Sequence, residues 1–284
     1  AIVAFHTGLD SWLKILFAVA ALLCLGSSGT AVVIGYAISS ALVTGSQLLF
    51  LRRLLPREGK PAGDTMRWAR QMWAYSWPMV AGGLFNWGYY SSQRWALELF
   101  ASTSAVGQFY ALTQIAYTPI STVGGMLLLF LTPIFFARAG DAKDRDRLKR
   151  TQMVIVRIGA VGLSMTILLA IASALAHNMV FRLMVAPEYR SISLYMPYVV
   201  IAAGVLQVSM AIASIVTVAN RTAEILPLAV FGNLFIGALN FYLARLWGVD
   251  GLITSMVAGS LLHLGWMVLI VSRHIRLSSK TDNA

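Results

Sequence analysis

The sequence predicts an all-α fold, a polytopic transmembrane helix bundle of about eight spans, on three observations. Of its 284 residues, 58% are hydrophobic and only 12% are charged, whereas a soluble domain carries roughly a quarter charged residues. The apolar residues fall in runs of about 20, the length a helix needs to cross the hydrocarbon core of a bilayer. The basic residues behind the net charge of +11 sit in the gaps between those runs, as loops facing the cytoplasm require. They form no amphipathic face for nucleic acid, so that partner is set aside.

In chain order the spans are placed at 12–28, 30–51, 72–91, 107–136, 153–176, 194–219, 225–246 and 251–271. Only Gly26 to Thr30 separate the first two, so these should form a tight helical hairpin. The fourth is too long for one straight crossing. Pro119 and Pro133 each remove a backbone hydrogen bond inside it, so a kinked or protruding helix is expected there. Pro78, Pro197 and Pro227 lie near the starts of three other spans, where proline costs little. The segment 177–193 reads as the longest external loop, its Phe, Leu and Met residues resting on the outer membrane surface.

The stretch 54–70, rich in Pro, Gly and charge, reads as a cytoplasmic linker. It divides residues 1–53 from a six-helix bundle at 71–273, and residues 274–284 form a tail. With both ends inside, the loops carrying Arg52 to Arg70 and Arg138 to Arg157 face the cytoplasm, as do Lys14, Arg221 and the tail. Only Arg94, Arg182, Arg190 and Arg245 remain outside, so the opposite orientation would misplace most of the basic charge. The expected location is a bacterial-type inner membrane.

The N-terminus has neither an initiator Met nor a basic region before its apolar run, so it does not read as a signal peptide. A C-terminal part of a longer protein is expected. The lone Cys24 reads as a small packing residue. No CxxC, HExxH or P-loop occurs, so no metal, cofactor or ATP hydrolysis is expected.

A pattern of short landmarks follows residue 70. Tyr75-Ser76-Trp77-Pro78-Met79 opens a span that ends in Gln93-Arg94-Trp95-Ala96-Leu97-Glu98. Ala105-Val106-Gly107-Gln108-Phe109-Tyr110-Ala111 comes next, then Ala186-Pro187-Glu188-Tyr189-Arg190, and Gly248-Val249-Asp250-Gly251 closes the seventh span. In this order the chain resembles the second half of the polysaccharide flippases, the O-antigen and exopolysaccharide transporters of the multidrug/oligosaccharidyl-lipid/polysaccharide exporter superfamily. The resemblance implies a two-bundle, six-plus-six transporter fold, with spans one and two as the last helices of the first bundle. It also implies a polyprenyl-linked glycan as cargo, alternating access as mechanism, and a polysaccharide polymerase or assembly proteins as partners. Gln93 stands where that family often has an acidic residue, so no carboxylate-coupled ion step is expected at this position.

Polar side chains inside a bilayer are costly and mark candidate cavity positions. Asn86, Tyr90 and Arg94 are spaced four apart and share one helical face with Gln93 close by. That stripe offers amides and an aromatic ring to sugars and a guanidinium to pyrophosphate. The competing reading is an interfacial aromatic belt with an Arg94–Glu98 salt bridge. Gln114 and Tyr117 on the fourth span and Asn240 on the seventh complete the candidate substrate-binding set. Ordinary hydrogen bonds between helices compete for them, as for Gln207 and Asn233. His263 reads as a neutral packing histidine, with a proton relay as the alternative.

Two other functions compete. An ion-coupled multidrug exporter of the same superfamily would want buried carboxylates, and near the spans only Glu98 qualifies. A membrane-embedded glycosyltransferase or polymerase would want a general base or a metal-binding carboxylate. Asp10, Asp64, Asp141, Asp144, Asp146 and Asp250 show no paired geometry, so an enzyme is not expected.

Overall fold

The computed structural model describes residues 2–26, 28–54, 65–140 and 144–280, and all regular structure among them is helical. The chain divides into two compact units, 1–68 and 69–284. Most of the predicted linker 54–70 lies outside the described residues. Residues 65–70 already belong to a helix, α3 (Thr65–Phe100).

The first unit is a helical hairpin of α1 (Ile2–Leu25) and α2 (Gly29–Leu54). Gly26 reaches φ +88 at the turn, a conformation open chiefly to glycine. The Ser28 hydroxyl then accepts from Ala31 N at 3.1 Å and caps α2. The two helices touch closely at Gly35, where a Cβ would lie 2.5 Å from Phe17 O and 2.7 Å from Ala18 Cα. Farther along the hairpin, Asp10 accepts from Lys14 Nζ at 2.6 Å and from the hydroxyls of Ser39 and Ser40 at 3.4 Å. The lysine holds the Asp10 carboxyl below its ordinary pKa.

In the second unit α7 (Met196–Val218) is the centre. It packs against α4 (Thr103–Ala116), α5 (Thr118–Ala139), α6 (Arg145–Met184) and α8 (Asn233–Lys280). Side-chain oxygens start two of these helices: Ser102 accepts from Ala105 N, and Asp144 accepts from Asp146 N and Arg147 N, each satisfying orphan donors of the first turn. The predicted fourth span is α4 followed directly by α5. Tyr117 N still bonds Thr113 O and Ser121 N bonds Tyr117 O, but Pro119 has no N–H to offer, and the helix breaks at Tyr117.

The predicted external loop 177–193 is mostly helical. Helix α6 continues to Met184, and a 3-10 helix spans Pro187–Tyr195. Phe181 is fully buried, and Arg190 donates to Val185 O and Arg182 O, closing the end of α6. The seventh and eighth predicted spans are the two arms of α8, residues 233–247 and 249–280. They are joined at Gly248, which has φ +58 and ψ −126. The arms pack closely: a Cβ on Gly251 would collide with Leu243 O, and one on Gly259 would lie 2.8 Å from Ile236 Cγ2.

Two apolar clusters fill the second unit. One gathers Leu97, Phe109, Leu112, Phe181, Val199 and Leu252, the other Phe135, Ile155, Ile215, Val216 and Val271. Along α7 they are separated by residues 203–214, roughly 18 Å at 1.5 Å per residue.

The outer surface carries many large apolar side chains. Leu129 is 78% exposed, Phe130 72% and Leu175 85%, far more contiguous apolar surface than water tolerates. Among the described residues, five segments are long and apolar enough to cross a membrane: Gly29–Arg53, Thr118–Ala139, Asp146–Met184, Pro187–Val218 and Thr222–Arg273. This is the surface of a membrane protein.

Candidate functional site

Between the two clusters, α3, α5, α7 and α8 leave a cavity of about 430 Å³, whose wall includes Gly82, Asn86, Thr132, Asn233 and His263. A void of about 20 Å³ adjoins it, lined by Asn86, Tyr89, Tyr117, Asn233, Ser260 and His263. That is room for one water among several polar partners. Asn86, Met210, Asn233 and His263 line both spaces.

Each helix delivers its polar group for a local reason. On α3, Gly82 lets Ala229 approach to 3.1 Å of a would-be Cβ, so α3 lies close on the segment before α8 and brings Asn86 inward. Residues 228–232 form a π-helical turn, a feature that often marks functional positions, and Asn233 follows it. The α4–α5 break presents Tyr117. From α7, the buried Ser209 lies with its Oγ 2.7 Å from His263 Nδ1.

The sequence candidates separate into three groups. Asn86 and Tyr117 line the small void, and Tyr90 is joined to Tyr117 by a hydroxyl–hydroxyl hydrogen bond of 2.8 Å. Gln93 and Asn240 are both buried, and Asn240 Nδ2 donates to the Oγ of Ser92, the neighbour of Gln93 in the chain, at 2.8 Å. Arg94 and Gln114 are exposed. Arg94 Nε donates to Glu98 at 2.8 Å, the pairing that holds its pKa above the ordinary value, and neither it nor Gln114 lines the two spaces. Tyr89, which belongs to the polar and aromatic cluster of this span together with Asn86, also lines the void. Sequence reasoning did not single out Ser209, Met210 or Ser260; a serine or methionine in an apolar span carries no such signal.

A second crevice of about 400 Å³ runs between α5, α6 and α7 and is almost wholly apolar. Its polar members are Thr166 and Gln207. The Gln207 side chain lies against Gly124, where a Cβ would be 2.6 Å from Oε1.

No family model matches the sequence, and no curated protein matches it. In three dimensions the chain is similar to a mutant of the Vibrio cholerae MATE transporter VcmN, known from a crystal structure, with a TM-score of 0.71. The two are 16% identical, and the alignment covers 97% of this chain and 62% of that one. At that identity the likeness establishes the fold. The all-α architecture expected from the sequence is therefore present, and the chain spans about three fifths of that transporter's length.

Proposed function

We propose that the chain belongs to a membrane transporter that moves a lipid-linked oligosaccharide, of the undecaprenyl type, across an inner membrane with both chain ends cytoplasmic. One observation carries the choice of cargo. The polar groups on the otherwise largely apolar cavity wall are amides, hydroxyls and an imidazole (Asn86, Thr132, Asn233 and His263), two phenols (Tyr89 and Tyr117) line the adjoining void, and no Asp, Glu, Lys or Arg is among the described lining residues. Sugars are neutral, hydrogen-bond through hydroxyls, and lay their C–H faces on aromatic rings, which is the chemistry this wall supplies. The resemblance of the sequence landmarks to those of the polysaccharide flippases supports the same reading.

The multidrug exporter is the second reading. The fold likeness to a MATE transporter favours it, as do Met79, Met210 and Met267 on the cavity wall, since methionine suits promiscuous apolar ligands. The carboxylates that would attract cationic drugs are missing from the described lining.

Complementation separates the two. In cells lacking their own lipid-linked oligosaccharide flippase, the native gene should restore surface glycan. Asn86→Ala and Asn233→Ala, at wild-type protein levels, should not. Restored drug resistance without glycan would select the second reading, and full glycan export by both variants would remove the cavity from the mechanism.

A further inference from the structure

We infer that His263 is a proton-binding site that couples the opening of the cavity to protonation, an inference that builds on the transport reading above. His263 stands where the 430 Å³ cavity and the 20 Å³ void meet and lines both. Its titratable neighbours around these spaces are Tyr89 from α3 and Tyr117 from the α4–α5 break. The other described polar groups are neutral: Asn86 from α3, Thr132 from α5, Ser209, Ser214 and Thr217 from α7, Thr222 ahead of α8, and Asn233 and Ser260 from α8 itself. A phenol titrates near 10, whereas an imidazole ordinarily titrates near 6.5. Among these groups, the imidazole is the one whose ordinary titration lies in the range a cell experiences.

The contact with Ser209 turns that charge into a mechanical signal. With Ser209 Oγ donating, Nδ1 is the acceptor and Nε2 carries the hydrogen. A proton from cavity water that binds Nδ1 makes both ring nitrogens donors. Ser209 must then turn and accept, and its own hydrogen goes to a carbonyl one turn back on α7, the usual partner of a helix serine. Only an N–H bond forms, and the proton returns to water when it breaks. An imidazolium without a carboxylate partner is costly away from water. Protonation therefore favours the state in which the cavity is hydrated, where Asn86 and Asn233 can offer carbonyl oxygens to the ring.

The test needs no cargo. In the full chain with Cys24→Ser, Thr132→Cys or Thr217→Cys places a thiol on the cavity wall, and its labelling by a small membrane-impermeant maleimide is timed in proteoliposomes. Dividing each rate by that of the same thiol in a His263→Gln background removes the thiol's own pH dependence. The ratio should rise at least about five-fold between about pH 8 and about pH 5.5. A flat ratio, or a thiol that never labels, overturns the inference. Should His263→Gln fold poorly, Ser209→Ala replaces it as the reference. Independently, ring-nitrogen NMR of 15N-histidine protein must show one buried histidine titrating reversibly in that range; a His263 signal that stays fixed is equally fatal. A titrating His263 with pH-dependent labelling in a chain that exports no glycan would uphold the proton site while removing the transport reading.

Discussion

Asn240 on α8 and Ser92 on α3 form a buried bridge in which the amide donates to the hydroxyl at 2.8 Å, and Ser92 passes its own hydrogen to Tyr89 O at 2.6 Å. The Asn240 carbonyl oxygen, also buried, finds no hydrogen-bond partner among the described residues. The bridge fixes α3 at the level just beyond the small void. Hydrogen bonds between membrane helices average about 0.6 kcal/mol and reach about 1.7 kcal/mol. A double-mutant cycle of Ser92→Ala and Asn240→Ala, read by unfolding in detergent, should return a coupling energy within that range. Strict additivity would mean the two side chains are not partners.

Gly204 is where α7 lies tightest against α6. A Cβ there would overlap the side chain of Thr166, which cannot easily turn because it is β-branched and its Oγ1 donates to Gly162 O at 2.8 Å. Gly204→Ala should therefore destabilise the bundle by about 1–3 kcal/mol, the usual cost of overpacking. Adding Thr166→Ala should recover most of the loss. A Gly204→Ala protein with an unchanged thermal midpoint would show that the helices separate freely at this level.

Asp10 gives the hairpin of α1 and α2 a pH dependence of definite sign. Its carboxyl sits below the ordinary value of 3.8, chiefly through the hydrogen bond from Lys14. Folding thus favours the carboxylate, and this stabilisation is fully present above the ordinary value. It fades as pH falls through the lowered one. Compared with Asp10→Asn, the wild-type chain should unfold at higher temperature near neutrality, and the gap should close only in strongly acidic buffer. A gap that is constant with pH would assign the effect to packing.

Tyr117 and Gln114 lie three residues apart with opposite surroundings, one lining the void and the other exposed. Tyr117→Phe deletes the hydroxyl that pairs with Tyr90, and one hydrogen bond is worth about 0.5–1.5 kcal/mol. Glycan export should fall by about two- to ten-fold, while Gln114→Ala should leave it near wild type. The reverse order would move the cargo path to the outer side of α4.

Much of this arrangement was legible in the sequence, and the shortfalls have physical causes. Apolar runs punctuated by basic gaps marked the helical segments because hydropathy along the chain is what a bilayer selects. The four-residue spacing of Asn86, Tyr90 and Arg94 was weaker guidance. At 100° per residue each step of four drifts about 40°, so Arg94 has turned roughly 80° from Asn86 and meets Glu98. Tyr89 and Gln93 stay nearer the direction of Asn86. The stretch 177–193 read as a loop because it mixes charge with apolar residues. Its helical form depends on burying Phe181 against distant residues of α4 and α7, a contact that no local window contains. The pairing of Ser209 with His263 joins positions 54 apart in sequence and was equally invisible.

Gly248 sits in a backbone conformation that side chains rarely adopt, and the arms on either side of it meet at Gly251 and Leu243 and again at Gly259 and Ile236. With any other residue there, a 48-residue α8 would be pressed toward one continuous rod of about 72 Å at 1.5 Å per residue, more than twice a bilayer core of about 30 Å. The glycine should therefore be a decision point in biogenesis: the last two arms are expected to enter the lipid as a paired unit, with the side on which the C-terminus emerges set by that single turn. A reporter fused after Lys280 and read for sidedness in Gly248→Val would expose that dependence directly.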